Sequence, residues 1–194
     1  MPDPKPLLLI GLAVAASALP VTQRAAARGC RMAHPDLSIY AIELTDSDSA
    51  ARQVGSGAAL TEDTEDLPHA RFVSSNGAQE LILYAHFEAG VDEYAEAEVR
   101  VAGQEALALE PLPAEVFRTE HGIELGMSAT DVIDRLGRCF KRHEKKRASE
   151  VLEYEIRGAD RDPKLKRYGY PVYYAEYEFQ NGGLVRFRFG FESR

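Results

Sequence analysis

Apolar and polar residues alternate along three stretches in the last part of the chain. The apolar positions that would share one buried face are Leu152, Tyr154, Ile156, Tyr173, Ala175, Tyr177, Phe179, Val185, Phe187, Phe189 and Phe191. Alternation with a period of two is typical of strands buried on one side. Asn181-Gly182, between the second and third stretches, is typical of a tight hairpin turn. The pattern predicts an antiparallel sheet. The outward residues expected to pair across it are Glu176, Glu178, Arg186 and Arg188.

A short amphipathic helix is predicted just before these strands. Ser128 is a good N-cap, and Asp131 lies at the third helical position, where its carboxylate completes a capping box and faces the positive end of the helix dipole. The apolar residues at helical spacing are Val132, Ile133 and Leu136. Gly137 is the expected left-handed stop. A helix of two turns is unstable alone in water, so its apolar face must pack on the sheet.

The first half of the chain is also β-rich by pattern. The predicted strands are 38–45, a hairpin of 70–74 and 80–87 joined by a type I′ turn at Asn76-Gly77, then 92–102; the polar segment 46–66 is predicted to be a surface loop. In the second half, 117–125 is predicted to pair as a strand before the helix. Along 92–102 the inward residues would be Ala95, Ala97, Val99 and Val101, and the outward ones Glu96, Glu98 and Arg100. The expected fold class is therefore α+β: a small N-terminal antiparallel meander followed by a helix-on-sheet domain.

Charge divides the chain at Glu110-Pro111-Leu112-Pro113, which is expected to be a linker. Residues 28–112 carry 5 Lys and Arg against 16 Asp and Glu, a net charge of about −11, whereas residues from 113 onward carry 16 against 14, about +2. Two domains are predicted, an acidic one at 28–110 and a second at 114–194. The acidic half disfavours nucleic acid and a broad anionic membrane surface as partners.

The N-terminus has the features of an export signal. Lys5 precedes an apolar run at 7–19 that is shorter than the roughly 20 residues needed to span a bilayer, and small residues follow at 16–18 and 25–27. We therefore predict a signal peptide at 1–27 and a periplasmic protein. A buried core helix is the alternative for this segment. A lipid anchor on Cys30, which would make the chain an outer-membrane lipoprotein and bring it to a membrane, is a further alternative.

Export would also decide the state of the two cysteines. Cys30 and Cys139 would both remain in the processed chain, and an oxidising compartment permits a disulfide between them. The bridge would close a loop of over a hundred residues and contribute about 4 to 5 kcal/mol in the chain-entropy model. Two unrelated thiols, or a lipidated Cys30 with a free Cys139, are the alternatives.

Five short motifs in the second half share an order with a known family. They are Gly126-Met127-Ser128, Asp131-Val132, Leu136-Gly137, Leu152-Glu153-Tyr154 and the run 177–185. Together they resemble the small outer-membrane lipoprotein family SmpA/OmlA, also called BamE-like, over residues 117–191. The resemblance implies helices on one face of a three-stranded antiparallel sheet, a fold shared with the modules of β-lactamase inhibitor protein. It also implies a non-catalytic, protein-binding component of the cell envelope.

Two surfaces are candidates for contact with another protein. The first is the basic run Arg138, Lys141, Arg142, Lys145, Lys146 and Arg147, which would meet anionic headgroups or an acidic protein, or alternatively would be a solvated hairpin edge protected by its lysines. The second is a tyrosine group, Tyr168, Tyr170 and Tyr174, because exposed tyrosines give contact area at little entropic cost.

No residue set predicts catalysis, a metal or a cofactor. The five histidines are scattered without metalloprotease spacing, and there is no nucleophile elbow. The acidic run 62–66 would hold Ca²⁺ loosely, meet a basic partner or simply be solvated. We therefore predict a non-enzymatic protein that binds another envelope or secreted protein, with a role in envelope assembly or maintenance. The alternative is an inhibitor or immunity protein that neutralises a secreted or periplasmic enzyme.

Overall fold

A computed structural model describes residues 21–23, 32–61, 67–86 and 92–192 of the 194. These residues form an α+β fold with one large, mostly antiparallel sheet and two α-helices. The leader at 1–20 and 24–27, Cys30, and the acidic run at 62–66 lie outside the described residues. Neither α-helix in the described part has the length and apolarity needed to cross a bilayer.

The elements follow one another along the chain in a β-rich order. The strands are β1 Val21–Gln23, β2 Ser38–Ile39, β3 Ile42–Glu43, β4 His69–Ser74, β5 Gln79–Ala85, β6 Tyr94–Val101, β7 Pro111–Leu112, β8 Arg142–Lys145, β9 Ser149–Arg157, β10 Val172–Gln180 and β11 Gly183–Phe191. The helices are α1 Ser47–Val54 and α2 Ala129–Leu136, with 3-10 turns at Gln104–Ala108, Ala159–Arg161 and Lys166–Tyr168.

Nine strands form a continuous sheet in the order β1-β8-β9-β10-β11-β6-β5-β4-β7, and β2 pairs separately with β3. All pairs in the large sheet are antiparallel except that of β4 with β7. The last strand, β11, lies between β10 and β6, so it joins the two halves of the chain. The predicted linker at 110–113 contains β7 and lies at one edge of this sheet.

One face of the sheet carries the hydrophobic core. Fully buried aromatic rings are concentrated on β9 to β11, and Val132 and Leu136 of α2 and Ala50 of α1 belong to the same cluster. The predicted inward residues of β9 and β10 are all buried, as are Phe187, Phe189 and Phe191 of β11. Val185 is the exception: the register shifts between Glu178 and Phe179, which turns Leu184 inward in its place.

Helix α2 begins and ends at capping residues. The Ser128 hydroxyl accepts from the Asp131 amide at 3.2 Å, and the Asp131 carboxylate accepts from the Ser128 amide at 3.1 Å, which completes a capping box. Gly137 has a φ of 91° and a ψ of 171°. It therefore has the positive φ that favours glycine, but not the compact left-handed conformation that the sequence predicted.

The predicted loop 46–66 was wrong in its first part, where α1 lies. The Asp46 carboxylate accepts from the amides of Asp48 and Ser49 and so caps this helix. Only Ser49 and Ala50 of the helix are buried, so the helix has almost no apolar stripe that sequence periodicity could detect.

Two strand predictions were also wrong. Segment 38–45 is a tight hairpin, because Tyr40 and Ala41 adopt φ values of 50° and 59° and reverse the chain between β2 and β3. Tyrosine and alanine rarely adopt a positive φ, so this turn could not be predicted from the residue types. Segment 117–125 contains only an isolated bridge from Thr119 to Ile39 and then a turn closed by the Gly122 amide on the Thr119 carbonyl at 2.9 Å.

The two Asn-Gly turns differ in length and conformation. Asn181 and Gly182 have φ values of 51° and 86° and join Gln180 directly to Gly183, as a two-residue type I′ turn requires. At the other site only Gly77 has positive φ, and its amide donates to the Ser74 carbonyl at 2.8 Å within a longer loop. The predicted type I′ turn at Asn76-Gly77 was therefore wrong: the Asn76 side chain instead accepts from Ser74 Oγ and from the Ala78 amide.

Candidate protein-binding face

The second face of the sheet carries mainly ion pairs, with the buried apolar side chains of Val73 and Ile82 among them on β4 and β5. We call it the charged face and define it by Arg71, Glu80, Tyr84, Glu96, Glu98, Arg100, Tyr174, Glu176, Glu178, Arg186 and Arg188. These residues lie on β4, β5, β6, β10 and β11, at positions that alternate with the buried apolar ones. Acidic and basic side chains face each other across neighbouring strands, as in Arg188 opposite Glu98 and Glu176 opposite Arg188.

Glu96 is the most fully coordinated carboxylate of the charged face. It is 3% exposed. Arg188 contacts its Oε2 with Nη2 at 2.6 Å and Nε at 2.9 Å, and His86 Nε2 lies 3.2 Å from its Oε1. The Tyr174 hydroxyl also donates to Oε2. Burying a charge is costly unless it is paired and hydrogen-bonded, and this carboxylate has partners on both oxygens.

Glu98 and Glu80 are buried in the same manner. Glu98 accepts from Arg186 Nη2 at 3.0 Å and from the Tyr84 hydroxyl at 3.3 Å. Glu80 lies between two arginines, with Arg71 Nε at 2.6 Å from Oε1 and Arg100 Nε at 2.8 Å from Oε2. Glu96 and Glu98 lie on the face opposite the core, as predicted, but the guanidinium groups of the next strand bury them. Val101 was predicted to point inward and is 56% exposed at the end of β6, so that prediction was wrong.

Titration of these carboxyls reflects the same contacts. Burial alone would raise the pKa of Glu96, but the hydrogen bond from His86 and the charge of Arg188 outweigh burial and lower that pKa below 4.5. Burial likewise acts to raise the pKa of Glu80, and Arg100 and Arg71 together lower it. Both groups therefore remain ionised near neutral pH, and they hold their arginines in place.

A glycine allows this arrangement at the centre of the sheet. Gly190 lies between Tyr174 and Glu96 in consecutive strands, and its φ is 148°. A Cβ at this position would lie 2.3 Å from the Ala95 carbonyl oxygen and 2.6 Å from Glu96 Cα. The absence of a side chain therefore lets β6 approach β11 closely at Glu96, the residue that the Tyr174 hydroxyl reaches from β10.

The outer layer of the charged face consists mainly of arginine, because the Tyr84 ring is only 4% exposed. Arg186 and Arg188 are 28% and 21% exposed, and Arg188 stacks over the Tyr84 ring at 3.9 Å. A groove of about 410 Å³ lies at one side, between Arg71, Glu80 and Arg100 and the 3-10 turn Gln104–Ala108. Arginine and tyrosine are the residue types that most often dominate protein interfaces, and here their side chains are already held in position.

The three predicted interface tyrosines are half-buried and contact other parts of the chain. Tyr174 reaches Glu96 in the charged face. Tyr168 packs on Phe191 with ring centroids 4.8 Å apart, and its hydroxyl donates to Glu43 at 2.9 Å. Tyr170 stacks on the same Phe191 ring and meets His86 edge-on at 5.2 Å. The structure thus brings Tyr168 and Tyr170 together on Phe191, while Tyr174 lies in the charged face.

The predicted basic run is largely paired with β9. Lys141 and Arg142 form ion pairs with Glu155 and Glu153, and Lys145 Nζ lies 3.0 Å from Glu150. Arg138 lines a groove at the start of α2, and Lys146 and Arg147 are exposed in the turn before β9. The alternative of an unpaired hairpin edge was wrong, because β8 pairs with β9 on one side and with β1 on the other. Sequence reasoning missed Glu150, Glu153 and Glu155; for Glu153 and Glu155, their alternation with Leu152, Tyr154 and Ile156 along β9 was the available signal.

Cys139 is disulfide-bonded. Its predicted partner, Cys30, lies outside the described residues, so the pairing stays a prediction. Among the described residues, one group brings metal-ligating atoms together: the carboxylates of Asp36 and Glu120 and a ring nitrogen of His121 lie within 4.8 Å of one another. The sequence did not predict this group, because Asp36 and His121 lie far apart in the chain.

Comparison with known proteins gives no relative for this chain: no family model, no curated protein and no solved structure matches it.

Proposed function

We propose that this chain is a non-catalytic protein-binding protein of the bacterial periplasm, and that the charged face is its binding surface. The observation that carries the proposal is the layer of Arg side chains held over the buried carboxylates of Glu80, Glu96 and Glu98. A partner that meets pre-positioned guanidinium groups loses little side-chain entropy on binding. The core and both α-helices occupy the other face, which leaves the arginines accessible in the part of the chain that the structure describes.

Two features support the periplasm as the compartment. The sequence begins with an apolar run of signal-peptide length, and Cys139 is disulfide-bonded, as an oxidising compartment permits. Strand β1, which lies inside the predicted leader, pairs with β8. This pairing favours processing near residues 16–18 over processing near 25–27, because only the earlier site leaves β1 in the mature protein.

The finer arrangement is proposed to be BamE-like. A capped helix, α2, is followed by an antiparallel series of four strands, β8, β9, β10 and β11, and the buried residues of the helix belong to the same core cluster as those of β9 to β11. These elements carry the motifs on which the SmpA/OmlA resemblance rests. A role in envelope assembly or maintenance is proposed on that resemblance.

The proposal is tested by capture of a partner with a charged-face variant and a control variant. Each replaces one acidic residue by lysine and so changes the net charge equally. The protein is expressed with its own leader, purified and used to capture proteins from envelope extract at low and high salt. Glu178→Lys alters the charged face at a partly exposed position, and Glu176→Lys repeats the change if the first variant folds poorly. Asp134→Lys is the control, since Asp134 is exposed on α2, which packs against the opposite face.

We expect the same captured partner with the unmodified protein and with Asp134→Lys, and loss of that partner with the charged-face variants. Equal capture by all variants would contradict the charged face as the binding surface. Capture of a single basic hydrolase that high salt releases would instead identify an inhibitor or immunity protein, a role that the acidic first half of the chain would suit.

A further inference from the structure

Asp36, Glu120 and His121 form a compact group away from the charged face. Asp36 lies just before β2 and is fully buried, whereas Glu120 and His121 lie in the turn before α2 and are partly exposed. His121 Nδ1 is 2.9 Å from Asp36 Oδ1 and 4.0 Å from Glu120 Oε1. The turn and the segment before β2 thus present one imidazole nitrogen and two carboxylates to a common point.

Outer hydrogen bonds hold the two carboxylates and the backbone of the turn in place. The Tyr177 hydroxyl donates to Asp36 Oδ2 at 3.3 Å, and the Leu37 amide donates to Glu120 Oε1 at 2.7 Å. Arg135 donates to the carbonyl of His121 and so fixes the turn from α2. Metal ligands in proteins are characteristically oriented by such outer contacts, which remove much of the cost of organising the site.

A fourth ligand lies next to the group. The rings of His34 and His121 have centroids 5.5 Å apart and an interplanar angle of 41°. Two imidazoles bound to one tetrahedral zinc ion, with Zn–N bonds of about 2.0 Å, place their centroids about 5 Å apart. The ring nitrogens of His34 are not among the atoms that already lie within 4.8 Å of one another, so its exposed side chain would have to rotate to bring a nitrogen to the same point. The positive charge of Lys164 lies near the group and opposes the binding of a cation there. Its ammonium donates to the Ala33 carbonyl at 3.2 Å.

We propose that Asp36, Glu120, His121 and His34 bind a Zn²⁺ ion in a closed, tetrahedral site. Two imidazoles and two carboxylates are ligands that Zn²⁺ accepts, and the two negative charges balance the ion. The ion replaces the direct contact between His121 and Asp36. It links the segment before β2 to the turn before α2, and it is independent of the charged face.

The test uses the full chain after removal of metal with a chelator. Zinc chloride is titrated calorimetrically into the unmodified protein and into His121→Ala, Glu120→Ala and His34→Ala, whose side chains are at least partly exposed, so that these variants are expected to fold. His143→Ala is the control, because His143 also lies beside a carboxylate, with Nε2 2.6 Å from Glu150, and outside the proposed site. Cobalt chloride replaces zinc in a second titration, since tetrahedral Co²⁺ has a characteristic visible absorption.

We expect one zinc ion per chain and a tetrahedral cobalt spectrum, both retained in His143→Ala. His121→Ala and Glu120→Ala are expected to weaken zinc binding by more than roughly tenfold, because loss of a ligand costs at least as much as loss of an outer contact. His34→Ala is expected to weaken binding and to change the cobalt spectrum. Absence of binding, equal weakening by His143→Ala, or a His34→Ala variant identical to the unmodified protein would overturn the four-ligand site.

Discussion

The two faces of the central sheet exclude water by different means. On one face, aromatic rings such as Tyr177 and Phe187 pack against one another and against α2. On the other, Glu96 and Glu98 are as well buried as the rings, but beneath arginines. The apolar face gains free energy simply by leaving water, whereas the charged face must recover the cost of removing its carboxylates from water through ion pairs and hydrogen bonds. Removal of one side chain should therefore cost most on the apolar face, while pH should act mainly on the charged face.

The largest effect is expected from truncating an aromatic ring. Phe187→Ala removes a fully buried side chain at the centre of the apolar face and leaves a cavity between Tyr177 and Phe189. We expect the free energy of unfolding to fall by about 3 to 5 kcal/mol. Urea denaturation followed by circular dichroism measures the change. Phe187→Leu, which keeps much of the volume, is the matched control and should cost clearly less.

On the charged face, Glu96→Ala is expected to have the next largest effect. The substitution leaves Arg188 and His86 without their carboxylate partner. Since Arg188 is partly exposed, water replaces some of the lost contacts, and we expect a loss of about 1.5 to 3 kcal/mol. The same urea measurement applies. A stability unchanged by Glu96→Ala would show that this face contributes no net free energy to folding.

Sequence pattern predicts one of these faces well and the other poorly. The period-two alternation identifies the apolar positions of β9 and β10 because each ring has only one favourable side of the sheet. The same rule places Glu96 on the outer face but does not show that it is buried, since its burial depends on Arg188, which lies on a strand distant in sequence. The role of Gly190 could not be predicted either, because nothing in the sequence near it shows that the Ala95 carbonyl approaches it. Pairings between distant residues thus decide both the charged face and the Asp36 and His121 contact.

A fall in pH separates the faces without any substitution. The folded-state pKa values of Glu80 and Glu96 are lowered, so the stability they contribute is present above their ordinary pKa of 4.5 and is lost as pH falls through the lowered values. Each unit of lowering corresponds to about 1.4 kcal/mol. Unfolding measured from pH 6 to pH 2 should show this loss, reduced in Glu96→Gln. An equally steep pH dependence in Glu96→Gln would assign the effect to other carboxyls.

The smallest effect is expected at the outer strands, where ion pairs remain in water. Lys141 is about half exposed and pairs with Glu155 on the neighbouring strand. Lys141→Ala should lower the free energy of unfolding by only about 0.2 to 1 kcal/mol, and less at high salt, because exposed pairs are screened. Thermal unfolding at low and high salt gives the comparison. A loss as large as that of Glu96→Ala would mean that burial does not set the strength of these pairs.

The position of β11 has a consequence for how the protein reaches this structure. It is the last strand along the chain, yet it lies in the middle of the sheet, with β6 on one side and β10 on the other. The β4 to β6 strands can pair early through local turns, but they gain their neighbour only when residues from the opposite part of the sequence arrive. Such distant pairing slows folding. Strands β4 to β6 therefore reach their final burial only after β11 has paired with β6.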